Sequence, residues 1–185
     1  MAHNDFWDAD SVKETLTIIN AMQRDGVIGK YAIGGAVGAT HYLEPAATLD
    51  IDIFVMLPNS ESGLLVSLSP IYEYLKALGG VEKHEHIAIG GWPVQFLAPS
   101  NDLEREAVAE AIRVDVEGVP TWIMPAEHLV AIALNTGRVK DQLRILRFLE
   151  EKAVDLGRLE ELLARHGLGA KWRKFKEKYP EATRG

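Results

Sequence analysis

The segment TLDIDIFVML, residues 48–57, constrains the fold of this chain more than any other, and it follows closely on the glycine pair Gly34-Gly35. On a strand, alternate side chains share a face. Leu49, Ile51, Ile53, Val55 and Leu57 then make one wholly apolar face, while Thr48, Asp50, Asp52, Phe54 and Met56 make the other. Such a strand buries one side in a core, so the chain must build a sheet around it. It also presents two carboxylates at one end of its second side. Carboxylates are seldom buried without a partner. Two of them side by side push one pKa up unless a cation compensates. Mg²⁺ is suited to this, because it takes carboxylate oxygens, keeps several waters and uses substrate phosphates as further ligands. Two such ions about 4 Å apart can clamp an in-line phosphoryl displacement. Glycines at 34 and 35 let backbone amides approach a phosphate closely. Each feature alone is weak, since paired acids are common on solvated strand faces and Gly-Gly is a common turn. Their order is more specific: strand, glycine pair, short helix, loop, D-x-D strand.

Around this segment the pattern predicts a mixed plan. Apolar positions Val12, Leu16, Ile18, Ile19 and Met22 predict an amphipathic helix over 10–24, ended by Asp25-Gly26. A short strand is expected at 31–33. A helix is expected over 64–78, with Pro70 marking its true start or a kink. VEKHEHIAI and WPVQFLAP flank Gly90-Gly91 and read as a hairpin. A helix over 101–112 and one or two short strands over 112–125 follow. Beyond Pro125 the periodicity is helical throughout. The expected class is α+β: a mixed sheet flanked by helices over 1–124, followed by a C-terminal helical region over 125–185.

Bulk properties narrow the function. The 185 residues carry a formal charge of −7 and no cysteine. That argues against broad affinity for nucleic acid and excludes disulfides and thiolate metal sites. No secretory leader and no apolar run long enough to span a membrane are evident, so a cytoplasmic location is expected.

The stretch IGGAVGATHYLEPAATLDIDIFV resembles the signature of the polymerase-β-like nucleotidyltransferase superfamily. Within it, the stretch is most similar to small bacterial proteins related to AbiEii-type toxins. The motif elements fall on Gly34, Gly35, Ala36, His41, Thr48, Asp50 and Asp52, with Lys140-Asp141 on a later helix. The resemblance implies a nucleotidyltransferase fold. It also implies transfer of a nucleoside monophosphate from an NTP to an acceptor, which is a protein, an RNA or a small molecule, with release of pyrophosphate. Asp50 and Asp52 would hold one or two Mg²⁺ ions, and Gly34, Gly35, Ala36, Thr48 and Lys140 would bind nucleotide. The chain departs from the family at three places: Gln95 where a third carboxylate is usual, Ala133 where a lysine is frequent, and Ala46 where an arginine often stands. These departures leave open a relative that has lost its chemistry and works by binding a nucleotide or a protein, as in a toxin–antitoxin pair.

The alternating KHEHIAI places His84 and His86 on one face and Glu85 on the other. His86 beside Gln95 is then a candidate general base, although H-x-H is also an ordinary exposed strand face. His41 either faces the site or is a packed or surface residue, and Glu44 is a possible extra acid. Lys140 and Arg144, four apart on one helix, meet either phosphate or nearby acids, and a structural ion pair is favoured. In the tail, Trp172, Phe175 and Tyr179 stand at helical spacing. Packing of that stripe on the body is favoured over stacking on RNA bases.

Overall fold

The computed structural model describes residues 9–44, 50–58 and 67–182. Thr48 and Ala46 therefore lie outside the described residues. The elements run α1 (Ala9–Arg24), β1 (Tyr31–Ile33), α2 (Gly35–Ala39), β2 (Ile51–Val55), α3 (Ser69–Ala77), β3 (Val81–Lys83), β4 (His86–Ile89), β5 (Trp92–Leu97), α4 (Asp102–Ala109), β6 (Ile112–Val116), β7 (Val119–Ile123), α5 (Ala126–Thr136), α6 (Val139–Glu150), α7 (Leu156–Arg165) and α8 (Gly169–Lys178).

The strands form one sheet in the order β3-β4-β5-β2-β1-β7-β6. β2 lies between β1, which it meets antiparallel, and β5, which it meets parallel. β7 joins β1 in parallel, and the remaining neighbours are hairpins. This is a mixed sheet with the D-x-D strand at its centre.

The period-2 pattern of β2 explains that position. Ile51, Ile53 and Val55 are fully buried in one core, together with Val12, Leu16, Ile19 and Met22 of α1 and Ile71 and Leu75 of α3. Phe54, from the opposite face, lies in a second core with α4, α5, α6, α7 and α8. β2 is thus held from both sides. Trp172 and Phe175 are buried in the second core and stack in parallel, 5.5 Å between centroids. Their faces are spent on packing, so the tail is no stacking platform for bases.

One expectation needs correction, and the role of Pro70 is decided. VEKHEHIAI is two strands, because His84 takes a left-handed conformation (φ 57°) and closes a tight turn between β3 and β4. Histidine enters that region more readily than most residues, and nothing in the alternation signals it. His84 therefore does not share a strand face with His86. The third helix begins at Ser69, with Pro70 in its first turn, where proline's missing N–H costs nothing. Among the described residues no helix is long and apolar enough to cross a membrane.

Candidate functional site

A cleft of about 810 Å³ opens at the carboxylate end of β2, and Asp50, Asp52, Gly35, Ala36, His86 and Gln95 line one wall. The sheet register builds this wall. Asp52 pairs with Gln95 across the parallel β2–β5 ladder. β4 pairs with β5 so that Ile87 meets Val94, and one step further along this register sets His86 opposite Gln95. His86 Nε2 lies 3.0 Å from Asp50 Oδ2. His86 of β4 and Gln95 of β5 thus converge on the D-x-D pair.

The glycine pair does two different jobs. Gly34 donates its amide to the Asp52 carbonyl at 2.9 Å, and a Cβ there would meet the Phe54 ring at 2.9 Å. Its N–H is therefore spent on fastening the turn to β2, and Gly34 does not line the cleft, contrary to the phosphate contact expected of it. Gly35 has φ 58°, and a Cβ on it would fall 1.9 Å from Asp52 Oδ2. Only glycine fits beneath that carboxylate. The first helical bond of α2 runs from Gly38 N to Gly34 O, which leaves the amides of Gly35, Ala36 and Val37 outside the helical ladder.

The opposite wall comes from the α5–α6 junction, and its cationic residues are Arg138, Lys140, Arg144 and Arg147. Gly137 ends α5 in the left-handed conformation, and α6 starts at once. Asp141, only 1% exposed, organises this start. Its carboxylate accepts from the Arg138 backbone N–H (3.3 Å) and from Arg138 Nε (2.7 Å), and it lies 3.6 Å from Arg144. Lys140 is exposed and keeps clear of this clamp. Asp141 pairs with Arg138 and Arg144, so the ion pair with a nearby acid forms at Arg144, while Lys140 takes no part in it. Arg138 and Arg147 escaped sequence reasoning. The only signal was the density of basic residues between 138 and 147.

The electrostatics follow from this arrangement. Burial pushes the Asp52 pKa up, and the neighbouring Asp50 charge adds to that, while Arg144, Lys140 and His86 pull it down. Burial lowers the pKa of Arg144, opposed by Asp141 and Asp52. Among the described residues the Asp52 carboxylate accepts no hydrogen bond, so its charge is only partly compensated by distant cations. Two carboxylate groups facing a polar cleft, one of them half-buried and under-compensated, are the donor set a hard divalent cation requires. The site fits Mg²⁺ on that ground.

Other candidates fall elsewhere. His41 is exposed and stands edge-on to Tyr42, away from the cleft. Glu44 and Glu85 lie at the cleft rim. Ala133, where a lysine was looked for, is buried and lines the cleft floor without charge.

The fold has solved counterparts. An antigenic nucleotidyltransferase-like protein from Paracoccidioides brasiliensis superposes with TM-score 0.61 over 94% of this chain and 90% of its own, at 12% identity. The chain has the nucleotidyltransferase-like fold. The antibiotic-resistance factor ANT(2'')-Ia superposes with TM-score 0.51 over 92% of this chain and 98% of its own, at 17% identity. No protein-family model matches the chain, and no curated protein does either. Nucleotidyltransferase-like architecture therefore extends over nearly the whole chain at an identity that carries fold alone.

Proposed function

We propose that the protein is a Mg²⁺-dependent nucleotidyltransferase that moves a nucleoside monophosphate from an NTP to an acceptor hydroxyl. The observation that carries this reading is the pairing of walls: Asp52 on β2 and Asp50 just before it line one cleft with Arg138, Lys140 and Arg144. Asp50 and Asp52 would hold one or two Mg²⁺ ions, which when bound neutralise phosphate charge and align the reacting oxygens. The free amides beyond Gly35 and the cations of α6 receive the phosphates, and Asp141 keeps Arg138 and Arg144 aimed at them. In the reaction the acceptor oxygen bonds to the α-phosphorus, the bond to the pyrophosphate oxygen breaks, and the acceptor proton passes to a base. His86 is placed for that role beside Asp50. The work of the chain is positioning and charge compensation.

Gln95 favours a second reading. It sits beside Asp52 where a third carboxylate would complete the set, and an amide neither takes a proton nor competes with carboxylates for Mg²⁺. On that reading the chain is a degenerate member that binds a nucleotide or a protein partner, as in the AbiEii-like toxin–antitoxin arrangement. Gln95→Asp separates the two: an increase of about 10²-fold in transfer marks a missing base, and an unchanged, measurable rate assigns the proton to His86.

The experiment for the primary reading is a thermal-shift panel with ATP, GTP, CTP and UTP, with and without Mg²⁺, on wild type and Asp52→Ala. A ligand at 100 times its dissociation constant adds about 2.7 kcal/mol, roughly 5–10 °C for a chain of this length. A Mg²⁺-dependent shift that Asp52→Ala abolishes is expected. The absence of any shift with all four nucleotides would overturn the proposal.

A further inference from the structure

A second cluster of metal-binding side chains lies away from the cleft, where α4, α5 and α7 meet. Its centre is His128, on the first turn of α5 and only 3% exposed. Among the described residues neither ring nitrogen of His128 has a hydrogen-bond partner. A buried imidazole with no partner is uncommon and calls for a reason. Its Nε2 points at two carboxylates, 3.5 Å from Glu106 Oε1 and 3.9 Å from Glu110 Oε2. The three ligand atoms lie within 4.8 Å of one another. None of the three residues lines the cleft.

These separations are too long for good hydrogen bonds. They suit two ligands of one ion, since metal bonds of about 2.0–2.1 Å at a tetrahedral angle set donor atoms roughly 3.3 Å apart. We propose that His128, Glu106 and Glu110 form a zinc-class metal site that ties α4 to α5. The donor chemistry selects such an ion. An imidazole with carboxylates suits Zn²⁺, whereas Mg²⁺ prefers oxygen alone.

The outer contacts orient the carboxylate. His166 Nε2 lies 2.6 Å from Glu106 Oε2, the oxygen turned away from His128. Arg165 bonds Glu106 Oε1 and is half exposed on a flexible stem, so it can slide on that oxygen when an ion arrives. Glu110 caps the end of α4 and is the exposed member, which gives the ion a route in. One nitrogen of His128 then coordinates and the other keeps its proton. The site staples the helix that leads, through Gly137, into the cationic wall of the cleft.

The test is calorimetric titration of the full chain with zinc chloride, in a background carrying Asp50→Asn and Asp52→Asn so that the cleft carboxylates cannot hold the ion. The proposal expects one zinc equivalent in that background, with affinity lowered at least about tenfold by Glu110→Gln and binding abolished by His128→Gln. Glu110 is at the surface, so its variant reports even if the His128 variant does not fold. No zinc uptake by the Asp50→Asn/Asp52→Asn protein, or equal affinity after Glu110→Gln, would overturn it and leave the cluster as an ion-pair hub.

Discussion

Gly35→Ala probes the cleft most directly. Two costs follow from its geometry. Alanine must hold φ 58°, a conformation that costs a non-glycine residue about 1–3 kcal/mol. Its Cβ would also stand 1.9 Å from Asp52 Oδ2, where ordinary contact begins near 3.4 Å. The carboxylate must then retreat by about 1.5 Å, or the turn must shift. Misplacement of a reacting group by 1 Å can cost about 10²-fold. Gly118→Ala provides the control. Gly118 has φ 79°, and a Cβ added there would meet nothing within 4 Å, so it carries the backbone strain without the collision. Melting curves and Mg²⁺-nucleotide titrations on both variants separate the two costs. Both should lose several degrees, at roughly 2–4 °C per kcal/mol. Only Gly35→Ala should lose nucleotide and metal binding, by about 10²-fold or more. Wild-type binding by Gly35→Ala would refute the argument that this glycine exists to seat the Asp52 carboxylate.

Other expectations follow from the same contacts. Asp52→Asn should raise the melting temperature of the metal-free protein at neutral pH, because a half-buried charge beside Asp50 is removed. Since the folded pKa of Asp52 is raised, its ionisation lowers stability as pH climbs from the unfolded value through the folded one. The advantage of Asn should therefore shrink as pH falls into the acid range, as melts across pH would read. Asp141→Asn removes the charge that Arg138 and Arg144 share and one of the two oxygens that accept from Arg138, and should cost about 1.5–3 kcal/mol, with weaker nucleotide binding in the same titration. Tyr31 donates to Asn20 at 2.8 Å in the first core and lies 3.1 Å from Thr121, and burial pushes its pKa up to about 12. Tyr31→Phe should cost about 1 kcal/mol at pH 7. Wild type should lose stability between about pH 10 and 12, where the unfolded phenol ionises and the folded one does not, and alkaline denaturation curves of the variant should show a shallower fall, the remainder coming from Tyr42, which burial also pushes up to about 12.

What the sequence made legible was local. The two faces of β2 followed from period 2, and the α1 stripe from its three-and-four spacing. Pro70 marked the true start of α3. The adjacency of Asp52 and Gln95 came from the family resemblance, which puts a third carboxylate on the next hairpin, and from no local pattern. The sheet order was not legible: β7 inserts beside β1 across some ninety residues of chain, and no local pattern records a parallel pairing. The cationic wall was legible only in part, at Lys140 and Arg144, and Arg138 and Arg147 were missed for a related reason. Arg138 and Arg144 face the carboxylates only because buried Asp141 turns them there, and a buried acid on a helix reads in sequence like any surface acid. His128 hides in the same way, as one polar residue on a helix whose every neighbour is apolar or paired.

The double burial of β2 bears on how such a protein can diversify. A strand gripped by cores on both faces cannot tilt or slide without disturbing both, so the carboxylate end of the cleft is a fixed post. The facing wall hangs on a helix junction and one buried aspartate, with Leu143 and Val139 standing largely exposed beside it. Mutational drift can therefore reshape what enters from the helical side while leaving the D-x-D geometry untouched. On the proposed function, acceptor range and chemical core are then separable traits, and libraries aimed at new acceptors belong at the exposed apolar positions Val139 and Leu143, away from the charges proposed to hold phosphate.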